Sequence, residues 1–570
     1  QQLWDEFYEI VRQTPTDIES IIVYQMMKFV YAPPAPGGAG ANKQVIFNDA
    51  GTLAGDAGLL YDKATDKLTV STAIDIWRGA GNQVGNVAVG NNTLTSNTTG
   101  GSNTTVGNSA GAKISSAGNS VAIGSNALNG NADITGGFNV AIGEGSMYAD
   151  VTAITGTNNV GIGQQAGRRT TSGSSNVFLG QFAGYTDTAN TGLDNIGIGQ
   201  STFRRLTSGS NNIGIGQTAL NLLTSGLANV AIGQVAGYQI TTGLSNVAVG
   251  INCMNGSQLV TGSSNVAIGD GAMYCIGGAA LSGVNNVAIG SASGRRLTTG
   301  SSNVFVGNSA ANSANDITGS DNVGIGRDTF RALTSGISNT AIGLAALNKI
   351  TTGSYNIAIG QDALLNSTGN NLVAVGVSAM ASNTTGSSNT ALGRATLFNN
   401  VTGSNCTGVG FQALYSNLAN NNTGVGNASG YGITSGSENT AIGAGSLYTC
   451  QTGSRNIAVG YNAGVFGTGS FNTCIGAEAG ANASFSSSFN IFIGDGAGGV
   501  TTTGQSNICI GIGANPTAAT AANQIAIGNS TYYVGTNGAA NTYYATAGAS
   551  QGYWRVIING TARKIQVFAD

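Results

Sequence analysis

Asn265-Val266-Ala267-Ile268-Gly269 recurs with small changes from Asn86-Val87-Ala88-Val89-Gly90 to Gln524-Ile525-Ala526-Ile527-Gly528. Aligned on the closing glycine, the motif occurs 26 times at intervals of 16 to 21 residues, most often 17. A short fixed period over most of a chain means a stack of small alike units, each burying its apolar face on its neighbours. Within one unit, Val230 and Ile232 share one face of an extended segment, Ala231 lies on the other, and Gly233 ends the run where the backbone bends. The Thr-Thr-Gly-Ser-Ser stretches that close most units are turn chemistry. About 17 residues hold no strand, helix and two connections, but they suffice for one solenoid coil with two short strands. The fold class is therefore all-β, an elongated parallel β-solenoid of about 26 short coils. The repeated Asn at the strand entrance is expected to stack coil over coil as an amide ladder.

The middle motif position is Ala or Gly in most copies, for example Ala141, Gly161, Gly197, Ala248 and Gly324. Two readings fit: a face kept small for the close approach of another copy of the chain, or small residues that keep the coil narrow. On the first, which we take as the expectation, Phe178, Phe305 and Phe492 fill gaps at that interface.

Composition narrows the function classes. The chain has 91 glycines, 8% charged residues, no histidine and 41% hydrophobic residues, which suits an ordered repeat rather than an ordinary globular enzyme. Without histidine there is no Ser-His-Asp or Cys-His arrangement and no histidine-bearing zinc site. The 24 acidic residues are too sparse to suggest the facing carboxylate pair of a glycan-cleaving enzyme. Glycine-dense runs such as Gly494-Asp495-Gly496-Ala497-Gly498 lack a βαβ context and read as coil turns. We expect no enzyme activity, no catalytic residue, no metal and no cofactor. A net charge of −3 offers no electrostatic footprint for nucleic acid. The six cysteines form no metal spacing; Cys474 and Cys509 sit two coils apart, too far for a disulfide, and suit small buried thiols made in a reducing cytoplasm.

The flanks differ from the array. In residues 1–31, Leu3, Trp4, Phe7, Ile10 and Val11 follow helical spacing, and Thr14-Pro15-Thr16-Asp17 opens a second helix carrying Ile18, Ile21, Ile22, Met26 and Phe29. This helical segment reads either as a bundle that nucleates trimers or as a docking peptide. Trp4, Phe7, Ile10, Val11, Ile18, Ile21 and Ile22 are the candidate docking residues. It is too short and polar to span a bilayer, no membrane insertion is expected, and no signal peptide is evident. Residues 32–41 are a Pro/Gly linker, and 42–85 alternate like a β collar with a turn over Asp62–Lys67. Residues 86–528 are the repeat shaft. In 529–570 the reading is a β cap, with Trp554 to Ile558 and Arg563 to Phe568 as a hairpin about Asn559-Gly560. Tyr532, Tyr533, Tyr543, Tyr544, Tyr553, Trp554 and Arg555 cluster there, either as packing or as a tip that stacks on sugars.

The Asn-Val-Ala-Ile-Gly coils resemble the head repeats of trimeric autotransporter adhesins of the YadA type and, more closely, their longer versions in bacteriophage tail fibres. Asn42-Lys43-Gln44-Val45-Ile46-Phe47-Asn48-Asp49 with Gly58-Leu59-Leu60-Tyr61-Asp62, and Val556-Ile557-Ile558-Asn559-Gly560-Thr561 with Lys564-Ile565, are similar to segments near the start and end of such fibres. The resemblance implies a homotrimer of left-handed β-rolls. It also implies a virion fibre made in the host cytoplasm, docked through its N-terminus to a tail, baseplate or adaptor protein and attached to a host-surface glycan or protein. The alternative is a bacterial surface adhesin or filament subunit, against which the missing signal peptide and membrane-barrel segment count; a depolymerising tailspike is the lesser reading.

Inside the array a block of seven coils is duplicated at an offset of 126 or 127 residues, so that Arg168-Arg169 matches Arg295-Arg296 and Phe178 matches Phe305. The arginine pairs invite an acidic glycan, but Asp150, Asp187 and Asp316 one coil earlier suit coil-to-coil salt bridges, which we favour. The long-coil segments Tyr148 to Thr155 and Tyr274 to Leu281 are expected to bulge outward.

Overall fold

The computed structural model describes residues 74–528 apart from Val151, 277–279, Phe466 and 482–485, together with flanking strands for which only backbone pairing is considered. Among these residues the fold is all-β, with no α-helix and with 26 short parallel strands shared between two compact units. The division falls near Gly256 to Ser263. The expected N-terminal helices, with Trp4, Phe7, Ile10, Val11, Ile18, Ile21 and Ile22, lie outside the described residues.

The first unit opens with an antiparallel meander. Gln44–Asp49 pairs with Thr52–Asp62, that strand with Lys67–Val70 (Asp62 opposite Lys67), and Lys67–Val70 with Ile74–Trp77. Trp77 then lies opposite Ala88 on the first coil strand, and its indole Nε1 donates to Thr93 Oγ1 at 3.1 Å. From there three-residue strands pair in parallel and in register, as Ile213–Ile215, Val230–Ile232 and Val247–Val249 do. The second unit carries the same ladder from Val266–Ile268 to Ile525–Gly528. It ends in antiparallel pairings of Ile525–Gly528 with Tyr533–Asn537 and of that strand with Thr542–Ala545; Gly552–Ile558 and Thr561–Val567 form a separate hairpin with Ile558 opposite Thr561.

The coil from Asn229 shows why this sequence winds as it does. Val230 N donates to Asn246 O on one neighbour, while Gly233 N and Val235 N donate to Ile215 O and Gln217 O on the other. Gly233 has φ of 135°, and a Cβ there would stand 2.5 Å from the Gly250 carbonyl oxygen, so the closing glycine is required by both conformation and space. Val235 (φ 61°) and Gly237 (φ 59°) then take left-handed conformations. This corrects the expectation of two strands per coil: each coil has one. Where a second pairing survives, it is a single bridge such as Ile240 to Val260.

The amide column is as expected. Asn229 Oδ1 accepts from both the backbone N (3.0 Å) and Nδ2 (3.1 Å) of Asn246, while Asn229 Nδ2 donates to Asn212 Oδ1 (3.0 Å) and Gly243 O (2.8 Å). These side chains are fully buried, and each satisfies groups that would cost about 1–3 kcal/mol if left unpaired. Leu372 and Cys406 interrupt the column in the second unit, and their backbone amides still donate to Asn356 and Asn389.

The face assignment of the motif is also corrected. The small middle residues are fully buried and point into the coil, so the narrow-coil reading is the one observed for them. Phe178, Phe305 and Phe492 are likewise interior side chains. Phe178 packs edge-on against Phe203 at 6.3 Å, and Phe305 against Phe330 at 6.1 Å. Volume explains the choice of Gly over Ala: a Cβ at Gly197 would meet Phe203 at 2.8 Å and Phe178 at 3.1 Å.

Candidate functional site

With the small residues inside, the motif flanks, mostly Val and Ile with Thr in some coils, form the outer strand face. Ile232, Ile268 and Ile442 are each about 40% exposed, beside Ala231, Ala267 and Ala441 at 0%. The in-register pairing places such residues over one another in each unit. Even a few tens of Å² from each, summed over the second unit, exceeds the roughly 300–600 Å² of a typical monomer's largest apolar patch. Beside this strip in the first unit runs an exposed amide ladder: Gln164 Nε2 donates to Glu144 (3.1 Å), Gln181 to Gln164 (2.8 Å), Gln200 to Gln181, Gln217 to Gln200 and Gln234 to Gln217 (3.1 Å each).

Five residues after the closing glycine lies a second surface column, which the sequence reading missed although its spacing is that of the repeat. In the second unit it holds Phe398, Tyr415, Tyr431 and Tyr448, stacked at 5.3, 5.0 and 5.1 Å with planes within 10°. Rings stacked this way cover one another's faces and act as coil-to-coil packing.

In the first unit the same column alternates Tyr148, Arg168, Tyr185 and Arg204. The Arg168 guanidinium lies 5.8 Å from the Tyr148 ring centroid and 5.2 Å from that of Tyr185, while Arg204 lies 5.4 Å from Tyr185 and 5.9 Å from Phe182. Asp150 receives both members of the pair, from Arg168 Nη2 at 3.0 Å and Arg169 Nη2 at 2.8 Å. The Arg169 hydrogen bond holds its carboxyl at about 2, below the usual 3.8. Asp187 contributes its backbone carbonyl to Arg169.

The duplicated site is built differently. Arg296 donates to the carbonyl of Ala314, the counterpart of Asp187, but its Nε stands 3.5 Å from Asp316, which pairs with this residue and not with Arg331 as expected. Arg331 pairs with Asp328 at 3.4 Å. A cavity of about 460 Å³ opens here, lined by Ile276, Arg295, Arg296, Asn312, Ser313, Ala314 and Arg331.

Of the candidate tip, Tyr532 lies outside the described residues. Tyr533 pairs opposite Gly528, Tyr543 and Tyr544 opposite Thr536 and Gly535, and Tyr553, Trp554 and Arg555 opposite Gln566, Ile565 and Lys564. The tip residues thus occupy two separate pairings, one joined to the last coil strand and one a hairpin of its own. All six cysteines are buried and none forms a disulfide among the described residues. Burial pushes the Cys275 and Cys509 thiols up to about 12 and Cys450 to about 11, so none of these three supplies a thiolate nucleophile near neutrality. Among the described residues no cluster of three or more metal-binding side chains occurs, and no helix is long and apolar enough to cross a membrane. Comparison with protein-family models, curated proteins and solved structures returned no match.

Proposed function

We propose that the chain is the shaft of a homotrimeric virion fibre, docked to its particle through residues 1–31 and attached to the host surface through residues 529–570. One observation carries the association: the coils fill their own interiors mainly with small and apolar side chains, yet leave uncovered an in-register outer face of mostly Val and Ile, with Thr at the first position of some coils. Parallel copies of the same chain supply a matching face coil for coil, which a globular partner does not. The left-handed β-roll and the attachment role rest on the resemblance of the repeat and its flanks. The alternative, a trimeric surface adhesin or filament subunit, uses the same face; a depolymerising spike is the lesser reading.

Two measurements test this. Light scattering should give a mass of three chains, and Ile→Asp at positions 232, 268 and 442 together should lower it; a monomeric wild type overturns the association. Quantitative peptide mass spectrometry of density-purified virus particles beside the envelope fraction of the same culture should find copies in the virion at a multiple of three. Recovery in the envelope alone moves the assignment to the adhesin.

A further inference from the structure

We propose that the cavity beside Arg295 and Arg331 binds the acidic group of an anionic saccharide. The first copy of the block shows how the same arginines look when they are closed. There Arg168 has Asp150, Tyr148 and Tyr185, and Arg204 has Tyr185 and Phe182. At the matching places the second copy carries Ile276 for Asp150, Asn312 for Tyr185 and Ser309 for Phe182. The equivalence is structural as well: Ala149 bridges Gly130 and Cys275 bridges Gly256, each just before Asp150 or Ile276. Losing one ring and one carboxylate leaves Arg295 with neither an ion pair nor a hydrogen bond among the described residues, and Arg295, Asn312 and Arg331 hold the same column position in three successive coils.

Among the described residues three guanidinium side chains line the cavity and no carboxylate does; Asp316 and Asp328 pair with Arg296, Arg327 and Arg331. Planar guanidiniums bind a carboxylate or sulfate through paired N–H donors. Asn312 and Ser313 add the amide and hydroxyl that sugar hydroxyls use, and about 460 Å³ matches a small-ligand site. The pocket belongs to the coil stack whichever particle carries it, so the proposal goes beyond the fibre reading.

The test uses calorimetry on the full chain with three hexasaccharides: uronate-based, sulfated and neutral. The two acidic arms distinguish the source of the anion, and binding of either at one site per chain, with none for the neutral sugar, is the expected result. Arg295→Gln should weaken binding about tenfold, and Ile276→Asp or Asn312→Tyr, each a residue the first copy already accommodates, should abolish it. Conversely, Asp150→Ile with Tyr185→Asn should raise the stoichiometry to two. Equal binding by wild type and Ile276→Asp, equal binding of the neutral sugar, or no binding of either acidic sugar overturns the proposal.

Discussion

The two copies of the seven-coil block keep the same interior ring pairs and differ around the arginines on the surface. Phe178 with Phe203 and Phe305 with Phe330 meet at 6.3 and 6.1 Å, both at 70°. Arg169 and Arg296 both reach the carbonyl of the matching residue in the next coil. At the surface, however, the column residue Tyr185 has Asn312 as its counterpart, and Asp150 beside the column has Ile276. Change inside comes in matched sets, because every change of volume is felt by the coils above and below: the buried bridge Thr170 to Asn190 of the first copy is Leu297 to Ile317 in the second. A surface position can change singly, without a compensating neighbour, and there the copies are free to take different tasks.

The largest effect expected from this contrast is therefore one that both copies share. Phe178→Ala and Phe305→Ala should each cost about 3–5 kcal/mol, because a narrow coil held by parallel strands on both sides has little freedom to collapse into the void. Hydrogen exchange read coil by coil is the appropriate measurement, since a repeat array need not unfold as one unit. A loss confined to one copy would show that the two ring pairs are not equivalent in the folded chain.

Overpacking tests that equivalence from the other side. Gly324→Ala places a Cβ 2.7 Å from Phe330, as Gly197→Ala does 2.8 Å from Phe203, and each should cost about 1–3 kcal/mol. Adding Phe330→Leu to the first should return part of the loss; a double variant no better than additive would show that backbone approach, not the ring, excludes the methyl. Of similar size, Asn212→Ala and Asn303→Ala should each lower protection of the next coil by about 1–3 kcal/mol, because the amides of Asn229 and Asn322 lose their acceptor inside a buried column.

What was legible in the sequence follows the same division. The Asn-Val-Ala-Ile-Gly period announced the parallel strand, its register and the buried amide column, because each depends on one residue type at one spacing. Alternation alone does not say which strand face is inside, and the expectation put the small residues at an interface between chains. The pairing of Phe178 with Gly161 and Gly197 on its neighbouring strands was the available signal: large beside small across adjacent coils is what a closed volume demands. The single strand per coil was hidden for another reason. Leu220 (φ 50°), Phe203 (φ 52°) and Met147 (φ 51°) occupy left-handed turn positions that bulky residues seldom adopt, so propensity reads them as strand or loop rather than as the tight turn they make. Of the site, the arginine pairs and Asp150 were visible, whereas the cavity depends on what Ile276 and Asn312 fail to supply.

The smallest predicted effect separates the two copies by pH. Arg169 and Arg168 hold the Asp150 carboxyl at about 2 against an ordinary 3.8, so the pair stabilises the folded state above the unfolded value and the contribution fades as pH falls from about 4 towards 2. Because the group keeps contact with solvent, its worth is about 1 kcal/mol, the upper end for an accessible pair with two hydrogen-bonded arginines. Asp150→Asn should therefore lower protection of the coils around Arg169 at pH 5 and make little difference at pH 2, with added salt shrinking the gap. Ile276→Asp should install the same dependence around Arg296, where the native chain has an aliphatic residue. If Asp150→Asn instead destabilised the first copy equally at both pH values, the carboxylate's charge would not be the cause, and the difference between the copies would lie in packing around the Tyr185 ring.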